Sequence, residues 1–282
     1  MSWRAGLSPG WQTHLMFAEF DGVVAEQGNH IVVRTPHNAG YYWGNFLLYN
    51  RLATDADFGP WMRRFEEAIS GVQPGTGHVA FGMHSPALSF TAPPAFVDAG
   101  FKGFGVTTLT LRAGQLRSPH KLLPPGFELR PLVLPAEAPL VVELDMACNE
   151  EGYEPEGYRR FRLAQMRRYG AMADAGMGRW WGAVHPSANG PRVVAALGVF
   201  GHNGVGRFQH VETDPDFRRR GLCRALVHAA CVHAFGAMGW HTLVMGADPD
   251  DVAIGIYESV GFTRHDTLWM LERRAPEDRV AA

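Results

Sequence analysis

One stretch of the chain combines a cluster of positive charge, a glycine and the start of a helix. Residues 211–230 read VETDPDFRRRGLCRALVHAA, and three arginines, Arg218, Arg219 and Arg220, directly precede Gly221. Apolar residues recur at helical spacing after the glycine, which predicts that a helix begins there. A helix N-terminus offers free amides and the positive end of a dipole, and glycine allows a ligand to approach the backbone closely. The stretch therefore predicts a binding site for a phosphate or diphosphate group.

The overall charge of the chain argues against one of two alternative interpretations, nucleic-acid binding. An arginine run is also typical of a solvated surface or of a nucleic-acid-binding patch in a basic protein. This chain has 26 Lys and Arg against 28 Asp and Glu, a net charge of −2. We therefore expect no nucleic-acid partner and no anionic membrane surface as a partner.

Cysteine content and hydrophobic patterning exclude further classes. The three cysteines, Cys148, Cys223 and Cys231, cannot all pair and have no metal-ligand spacing. They predict reduced thiols, a cytoplasmic location and no metal site. No apolar run approaches the ~18 residues of a membrane span, and the N-terminus has no evident secretory signal. With 46% hydrophobic and 19% charged residues the composition is that of a soluble globular protein.

The arginine stretch resembles the acyl-CoA-binding motif of the GNAT superfamily of N-acyltransferases. That motif is Arg/Gln-x-x-Gly-x-Gly/Ala after a Val-x-Pro strand end, and here the matching residues are 218–223 (RRRGLC) and 213–215 (TDP). Thr213 replaces the usual aliphatic residue, and Cys223 replaces the last small residue. A second match is 250–262 (DDVAIGIYESVGF), which fits Asn-x-x-Ala-x-x-x-Tyr-x-x-x-Gly-Phe with Asp250 in place of the asparagine.

The resemblance implies an acetyl-CoA-dependent N-acetyltransferase. It implies that the backbone near Thr213 holds the pantetheine arm, that the loop amides hold the diphosphate, and that Tyr257 is the general acid for the leaving thiolate. At a helix N-terminus Cys223 is either an activated thiol or, as we favour, a small loop residue. The expected cofactor-binding residues are Val211, Thr213, Arg218, Arg219, Arg220, Gly221, Leu222, Cys223 and Asp250.

The general base is left open between His210 and Glu212, the titratable residues of the strand before the loop. Side chains alternate along a strand, so both are predicted to point to the same face, opposite Gln209 and Val211. The base of the family usually shares the face of the latter two residues, and a β-bulge would reverse the assignment. Nearby, the acidic loop 150–156 either attracts a cationic amine or is simply solvated.

Residues 127–272 predict a regular order of elements. The order is a strand, two helices, three antiparallel strands, a helix, a strand, a helix and a strand. It predicts an α+β fold, a mixed and mostly antiparallel sheet flanked by helices, and it resembles the GNAT order. Because side chains alternate on a strand, Trp180 and Trp181 are not both expected to face the core.

The first half of the chain echoes the second half. Gly44, Gly82 and Phe96 have nearly the same spacing as Gly206, Gly246 and Tyr257. The alternative is that two unrelated segments share a few glycines. The proline-rich stretch 117–126 predicts a linker. The sequence thus predicts two tandem GNAT-like domains, 1–122 and 123–282.

The first domain is predicted to be degenerate. Residues 56–61 (ADFGPW) match 218–223 but contain an acid, no arginine and a proline without an amide hydrogen. Phe96, at the position of Tyr257, has no proton to give. We therefore expect acetyl-CoA to bind to the second domain alone, while the first shapes the acceptor pocket.

The function predicted from these residues is acetyl transfer from acetyl-CoA to the amine of a small molecule, by a cytoplasmic monomer or homodimer. Two alternatives remain open. One is a non-catalytic acyl-CoA-binding or sensing protein, and the other is a protein N-acetyltransferase.

Overall fold

The structure is a computed structural model that describes residues 2–118, 123–188 and 190–278. The chain forms two compact units, the first comprising 1–108 with 265–282 and the second comprising 109–264. These limits differ from the predicted ranges 1–122 and 123–282, because the C-terminal segment joins the first unit and residues 109–118 join the second. The predicted boundary at 122, and the middle of the predicted linker 117–126, lie outside the described residues.

The first unit contains short helices and strands. The apolar run 41–49 is not one continuous strand, because only Phe46–Tyr49 is extended and Tyr42–Gly44 is a 3-10 turn. The elements up to residue 112 are α1 (Pro9–Asp21), β1 (Val23–Gln27), β2 (His30–Arg34), β3 (Phe46–Tyr49), α2 (Phe58–Phe65), β4 (Val79–Met83), α3 (Pro94–Asp98) and β5 (Lys102–Arg112).

The remaining elements follow the predicted order. They are β6 (Glu128–Pro131), α4 (Ala138–Ala147), α5 (Pro155–Asp174), β7 (Gly178–Ser187), β8 (Gly190–His202), β9 (Val205–Thr213), α6 (Leu222–Gly236), β10 (Thr242–Ala247), α7 (Ala253–Val260) and β11 (Thr263–Arg273). Strands β5 and β11 each have residues in both units. Among the described residues, no helix has the length and apolar character needed to cross a membrane.

The sheet strands are mostly antiparallel in each unit. In the first unit the strand order is β1-β2-β3-β4-β11, and only β3 and β4 are shown as a parallel pair. In the second unit it is β10-β9-β8-β7-β6, and the parallel pair is β9 with β10. The predicted fold class, a mixed and mostly antiparallel sheet flanked by helices, is confirmed.

Helices cover both faces of the strands in the second unit. Trp181 belongs to the core formed with α6 and α7, whereas Trp180 packs against Tyr169 of α5 with ring centroids 4.8 Å apart. The tryptophans are 8% and 1% exposed, respectively. Alternation therefore places the two tryptophans on opposite faces, as expected, and each of the two faces has a buried core.

The internal repeat is visible in the fold. The series β3-α2-β4-α3-β5 has the same order as β9-α6-β10-α7-β11, and each series contains a parallel strand pair. The last helix of each series is followed by a glycine with positive φ, 84° at Gly100 and 116° at Gly261. A buried phenylalanine comes next in both cases, Phe101 and Phe262. The two segments therefore fold alike, and each of the matching glycines ends a helix in the same kind of turn.

Candidate functional site

A short loop, residues 214–221, leads from β9 to α6. Asp214 is almost fully buried, accepts a hydrogen bond from the amide of Asp216 at 3.0 Å, and pairs with Arg192 of β8. The ring of Phe217 lies beneath the guanidinium groups of Arg192 and Arg220, 5.5 and 4.8 Å from its centroid. Sequence patterns do not reveal Arg192, because it lies on the neighbouring strand β8, 22 residues before Asp214.

The end of this loop presents backbone amides and positive charge together. Gly221 caps α6 in the left-handed region at φ 82°, and Arg219 has φ 61°. The part of the chain that the structure describes offers no hydrogen-bond acceptor to the amides of residues 219–223. Arg218, Arg219 and Arg220 are all exposed. Free amides at a helix N-terminus beside guanidinium groups form an arrangement that can bind a diphosphate.

Two of the arginines already make contacts. Arg218 donates from Nε to the carbonyl oxygen of Thr213 at 3.2 Å and pairs with Glu150 at 2.7 Å. Arg220 donates to the carbonyl oxygen of Asp216 at 3.0 Å. These contacts hold the loop while leaving its amides open.

The strand before the loop is paired on one side only along most of its length. The parallel pairing of β9 with β10 covers Val205–Arg207 and Thr242–Val244 and then stops. Beyond Arg207, no strand in the described part of the chain pairs with that side of β9. Unpaired peptide groups can bind an extended ligand as a strand would. The carbonyl oxygen of Thr213 is less available, because it also accepts from Cys148 Sγ at 3.6 Å.

A β-bulge interrupts β9 at the candidate base residues. The register with β8 shifts between Ala196 and Gly198, and His210 adopts φ 51°. Val211 packs toward the α6 core, whereas His210 Nε2 lies 2.9 Å from Glu212 Oε1. The prediction that His210 and Glu212 point the same way agrees with this contact.

Two buried charges from the helices complete a polar network. Arg162 of α5 donates from Nε and Nη2 to the two carboxylate oxygens of Asp145 of α4, at 2.7 and 3.1 Å. Both side chains are 1% exposed. His210 Nε2 lies 3.4 Å from Asp145 Oδ1. Neither carboxylate is aligned with Nε2 well enough for a directed hydrogen bond, so charge attraction holds the ring.

Sequence reasoning missed Asp145 and Arg162, although a signal was present. Asp145 lies four residues after Val141 on the buried face of α4, and Arg162 lies four residues before Met166 on the buried face of α5. A charged residue at an apolar position of a helix indicates a buried partner.

The network changes the protonation of its members. Burial alone would raise the pKa of Asp145, but the Arg162 guanidinium and His210 outweigh it, and the pKa lies well below its usual range. Burial and Arg162 would lower the pKa of His210, yet the carboxylates of Glu212 and Asp145 raise it overall. The imidazole therefore stays protonated to a higher pH than a free histidine.

Two carboxylates and an imidazole, those of Asp145, Glu212 and His210, are groups that can bind a metal ion. Ligand atoms of Asp145, His210 and Glu212 lie within 4.8 Å of one another. A cation there would lie against the guanidinium of Arg162, which already binds both oxygens of Asp145. We therefore assign none of the three as a metal ligand.

Tyr257 and Cys223 lie near each other on the α6 side of the strands. Burial, followed by Cys223 and Asp251, raises the pKa of Tyr257, so its hydroxyl keeps its proton and can act as a donor. Burial raises the pKa of Cys223 to about 12, which argues against an activated thiol. Asp250 is exposed in the turn before α7, where its amide donates to Asp248 at 2.9 Å.

Comparisons with known proteins concern the fold of the chain. A family model described as FR47-like protein matches residues 189–270. No curated protein matches the chain in sequence. A solved structure of a functionally unknown conserved protein from Staphylococcus epidermidis is similar at a TM-score of 0.70 and 11% identity, covering 93% of this chain and 97% of that one.

Two further solved structures are named as acetyltransferases of one superfamily. A GCN5-related N-acetyltransferase from Kribbella flavida is similar at a TM-score of 0.62 and 16% identity, covering 93% of both chains. A tandem GNAT protein from the clavulanic acid biosynthesis pathway has a TM-score of 0.53 and 15% identity, covering 77% of this chain and 69% of that one.

Proposed function

Because this chain has the fold of the GNAT superfamily, we propose that it transfers an acetyl group from acetyl-CoA to the amine of a small molecule. The observation that carries the proposal is the loop before α6. Its amides from residue 219 to residue 223 have no acceptor among the described residues, and three exposed arginines surround them. This combination suits the diphosphate of coenzyme A.

The unpaired side of β9 supports the same ligand. An extended pantetheine arm carries amide groups, and beyond Arg207 no strand among the described residues pairs with the β10 side of β9. The arm would then lead from the diphosphate loop toward the bulge at His210. The thioester would thus approach the candidate base residues.

The reaction requires two proton movements. The amine nitrogen attacks the thioester carbonyl carbon, the new C–N bond forms, and the C–S bond breaks. The amine loses a proton to a base, and the thiolate takes a proton from Tyr257. Burial keeps the hydroxyl of Tyr257 protonated, which suits this role.

Of the two candidate bases, geometry favours Glu212. His210 Nε2 faces carboxylate oxygens of Glu212 and Asp145, so that nitrogen must carry a proton and cannot accept another. Glu212 Oε2 is buried and has no hydrogen-bond partner among the described residues. We assign Glu212 as the base and His210 as the group that holds it.

Calorimetry with two ligands tests the proposal without any mutation. Acetyl-CoA should bind, and S-acetylpantetheine, which lacks the diphosphate, should bind at least about tenfold more weakly, because charge-assisted hydrogen bonds contribute ~1.5–3 kcal/mol each. Thiol release should then depend on both acetyl-CoA and an amine from a panel of small molecules.

Each result has a defined meaning. If acetyl-CoA produces no binding heat, or if both ligands bind equally, the diphosphate loop is misassigned and the proposal fails. Tight binding with no thiol release for any amine would instead favour a non-catalytic acyl-CoA-binding protein. Turnover of peptide amines alone would favour a protein N-acetyltransferase.

A further inference from the structure

The ion pair between Asp145 and Arg162 is costly to build. Burial removes both charges from water, and such pairs often add little or nothing to stability compared with apolar residues of similar size. Each nitrogen of the guanidinium has an acceptor, because Nη1 also donates to Gln165 Oε1 at 2.5 Å. The carboxylate of Asp145, by contrast, has an additional neighbour in His210.

His210 needs support from outside its own strand. Its left-handed backbone conformation, at φ 51°, is costly for a residue other than glycine and persists only where the surroundings impose it. The charged groups facing the ring are Asp145 from α4, Arg162 from α5, and Glu212 from β9 itself. Cys148 and Tyr158 lie near the same carboxylates.

Resting on the proposed function, we infer that Asp145 and Arg162 are positioning residues for the deprotonation of the amine. Arg162 fixes both oxygens of Asp145, and Asp145 holds the His210 ring at the bulge. His210 in turn holds Oε1 of Glu212, and the amine proton passes to Oε2, which has no hydrogen-bond partner among the described residues. One proton passes from the amine nitrogen to Glu212, and the step needs no other reactant.

The substitution Asp145→Asn tests this chain of contacts. It keeps the shape of the side chain and removes the charge that attracts the imidazole. We expect kcat to fall about 10- to 100-fold, since a displacement of about 1 Å can cost about 100-fold. The Kd of acetyl-CoA should stay within about twofold, because the diphosphate loop and the β10 side of β9 are unchanged. The midpoint of the His210 ring titration, followed by NMR, should move to lower pH.

The chain contains a matched control. Arg159 pairs with Glu143 at 2.6 Å and bridges the same two helices, but this pair is exposed and does not reach β9. Glu143→Gln should leave kcat, acetyl-CoA binding and the His210 titration unchanged. A loss of rate in this control equal to that of Asp145→Asn would overturn the assignment, because it would reflect helix packing alone.

A second variant covers the case in which Asp145→Asn does not fold, since it leaves Arg162 buried without its counter-charge. The double variant Asp145→Asn with Arg162→Gln removes both charges. It should fold, bind acetyl-CoA normally and still lose about 10- to 100-fold in kcat. Wild-type kcat in the double variant would overturn the inference.

The NMR titration separates this inference from the proposed function. If the wild-type protein acetylates no amine, the proposed function fails, yet a lowered His210 midpoint in Asp145→Asn would still support the positioning contact. A reduced rate with an unchanged His210 titration would show a purely structural role and overturn the inference.

Discussion

The two repeats of this chain share an order of elements but differ at the start of the helix after the parallel strand. Before α2, Asp57 accepts hydrogen bonds from the amide and hydroxyl of Thr54 at 2.9 and 2.7 Å and from Arg51 at 2.7 and 2.5 Å. Before α6, the arginines are exposed and the amides have no acceptor among the described residues. In the first repeat an acid, Asp57, already paired with Arg51 and Thr54, stands at the position that Arg219 has in the second repeat.

Strand pairing also differs between the two repeats, and again the second repeat has the unpaired groups. In the first repeat β3 pairs with β4 from Leu47 to Tyr49, the last residue of β3, and the amide of His84 extends the contact to Tyr49. With Gly44 and Gly206 matched, the equivalent part of β9 is 209–211, and it is not paired with β10. β2 and β3 are in regular register, whereas β8 and β9 are shifted by the bulge. In the second repeat the irregular residue His210 thus occurs where β9 is not paired with β10.

The side chains complete the contrast. Leu48 and Asn50 occupy the positions that match His210 and Glu212, and Phe96 occupies that of Tyr257. The same order of elements therefore occurs once with a paired strand edge and once with an unpaired one. We propose that the first repeat does not bind acyl-CoA, because β4 pairs with β3 up to its last residue and because Asp57 stands where the second repeat has an arginine.

The largest effect on kcat is expected from Glu212→Gln, which makes β9 resemble β3. Without the base, kcat should fall about 10²- to 10⁴-fold, while acetyl-CoA binding is retained. Steady-state thiol release and calorimetry measure the two quantities. Asn50→Asp, which places an acid at the matching exposed position, should leave the rate unchanged. A rate loss below about fivefold for Glu212→Gln would exclude it as the base.

Tyr257→Phe gives the second repeat the residue type of the first. Loss of the proton donor to the thiolate should lower kcat about 100-fold or more. The unfolding free energy should change little, because only the hydroxyl is removed. Single-turnover thiol release checks the rate, and Phe96→Tyr is the reciprocal control with no expected effect. Full activity in Tyr257→Phe would assign the thiolate proton to another donor.

Replacing Arg218, Arg219 and Arg220 together with alanine removes the charge that the first repeat lacks. The Kd of acetyl-CoA should rise about 10- to 100-fold, an effect that shrinks as salt concentration increases. Calorimetry at two ionic strengths measures both. Arg51→Ala, the guanidinium substitution in the first repeat, should leave the Kd unchanged. If Arg51→Ala weakens acetyl-CoA binding more than the triple variant does, acetyl-CoA binds to the first repeat and the assignment to the second repeat is wrong.

Asp57→Asn removes the charge of the carboxylate that precedes α2 in the first repeat. Hydrogen bonds from Arg51 and then Thr54, opposed by burial, lower the pKa of Asp57 to about 2. The carboxylate therefore stabilises the fold above its unfolded pKa, and this stability is lost as pH falls from about 5 toward 2. The variant should lose about 1–2 kcal/mol at pH 7, a figure reduced for the partly exposed Arg51. Urea unfolding at pH 7 and pH 3 should show the difference shrinking in acid; a constant difference would contradict the assignment.

The smallest effect is expected from glycine substitutions at matching positions. Gly221→Ala should destabilise the protein by about 1–2 kcal/mol, because φ is 82°. Gly59, its counterpart, lies inside α2, and an added Cβ would meet only Arg63 Nη1 at the ordinary distance of 3.5 Å. Gly59→Ala should therefore stabilise the protein by about 0.5–1 kcal/mol. Thermal unfolding of both variants should give shifts of opposite sign; shifts of the same sign would show that backbone conformation does not explain the glycine at 221.

Much of the second unit was predictable from local pattern. The structure agrees with three features that depend only on residues near in sequence. These are the helical spacing after Gly221, the strands from 178 to 213 and the glycine at 261. The first unit was harder, because the apolar run 41–49 has no period and Tyr42–Gly44 turns within it. That both Trp180 and Trp181 are buried could not be predicted, because a single strand does not reveal that helices cover both of its faces.

The sequence by itself determined the charged loop, the glycine that begins α6, and the loss of arginine and tyrosine from the first repeat, since these are properties of residue type and near spacing. Only the tertiary structure decided that β9 bulges at His210 and that Asp145 and Arg162, from two helices, meet that bulge. It also decided which strand edge stays open. The physical reason is that a bulge and a buried ion pair depend on partners distant in sequence, whose positions no local period records.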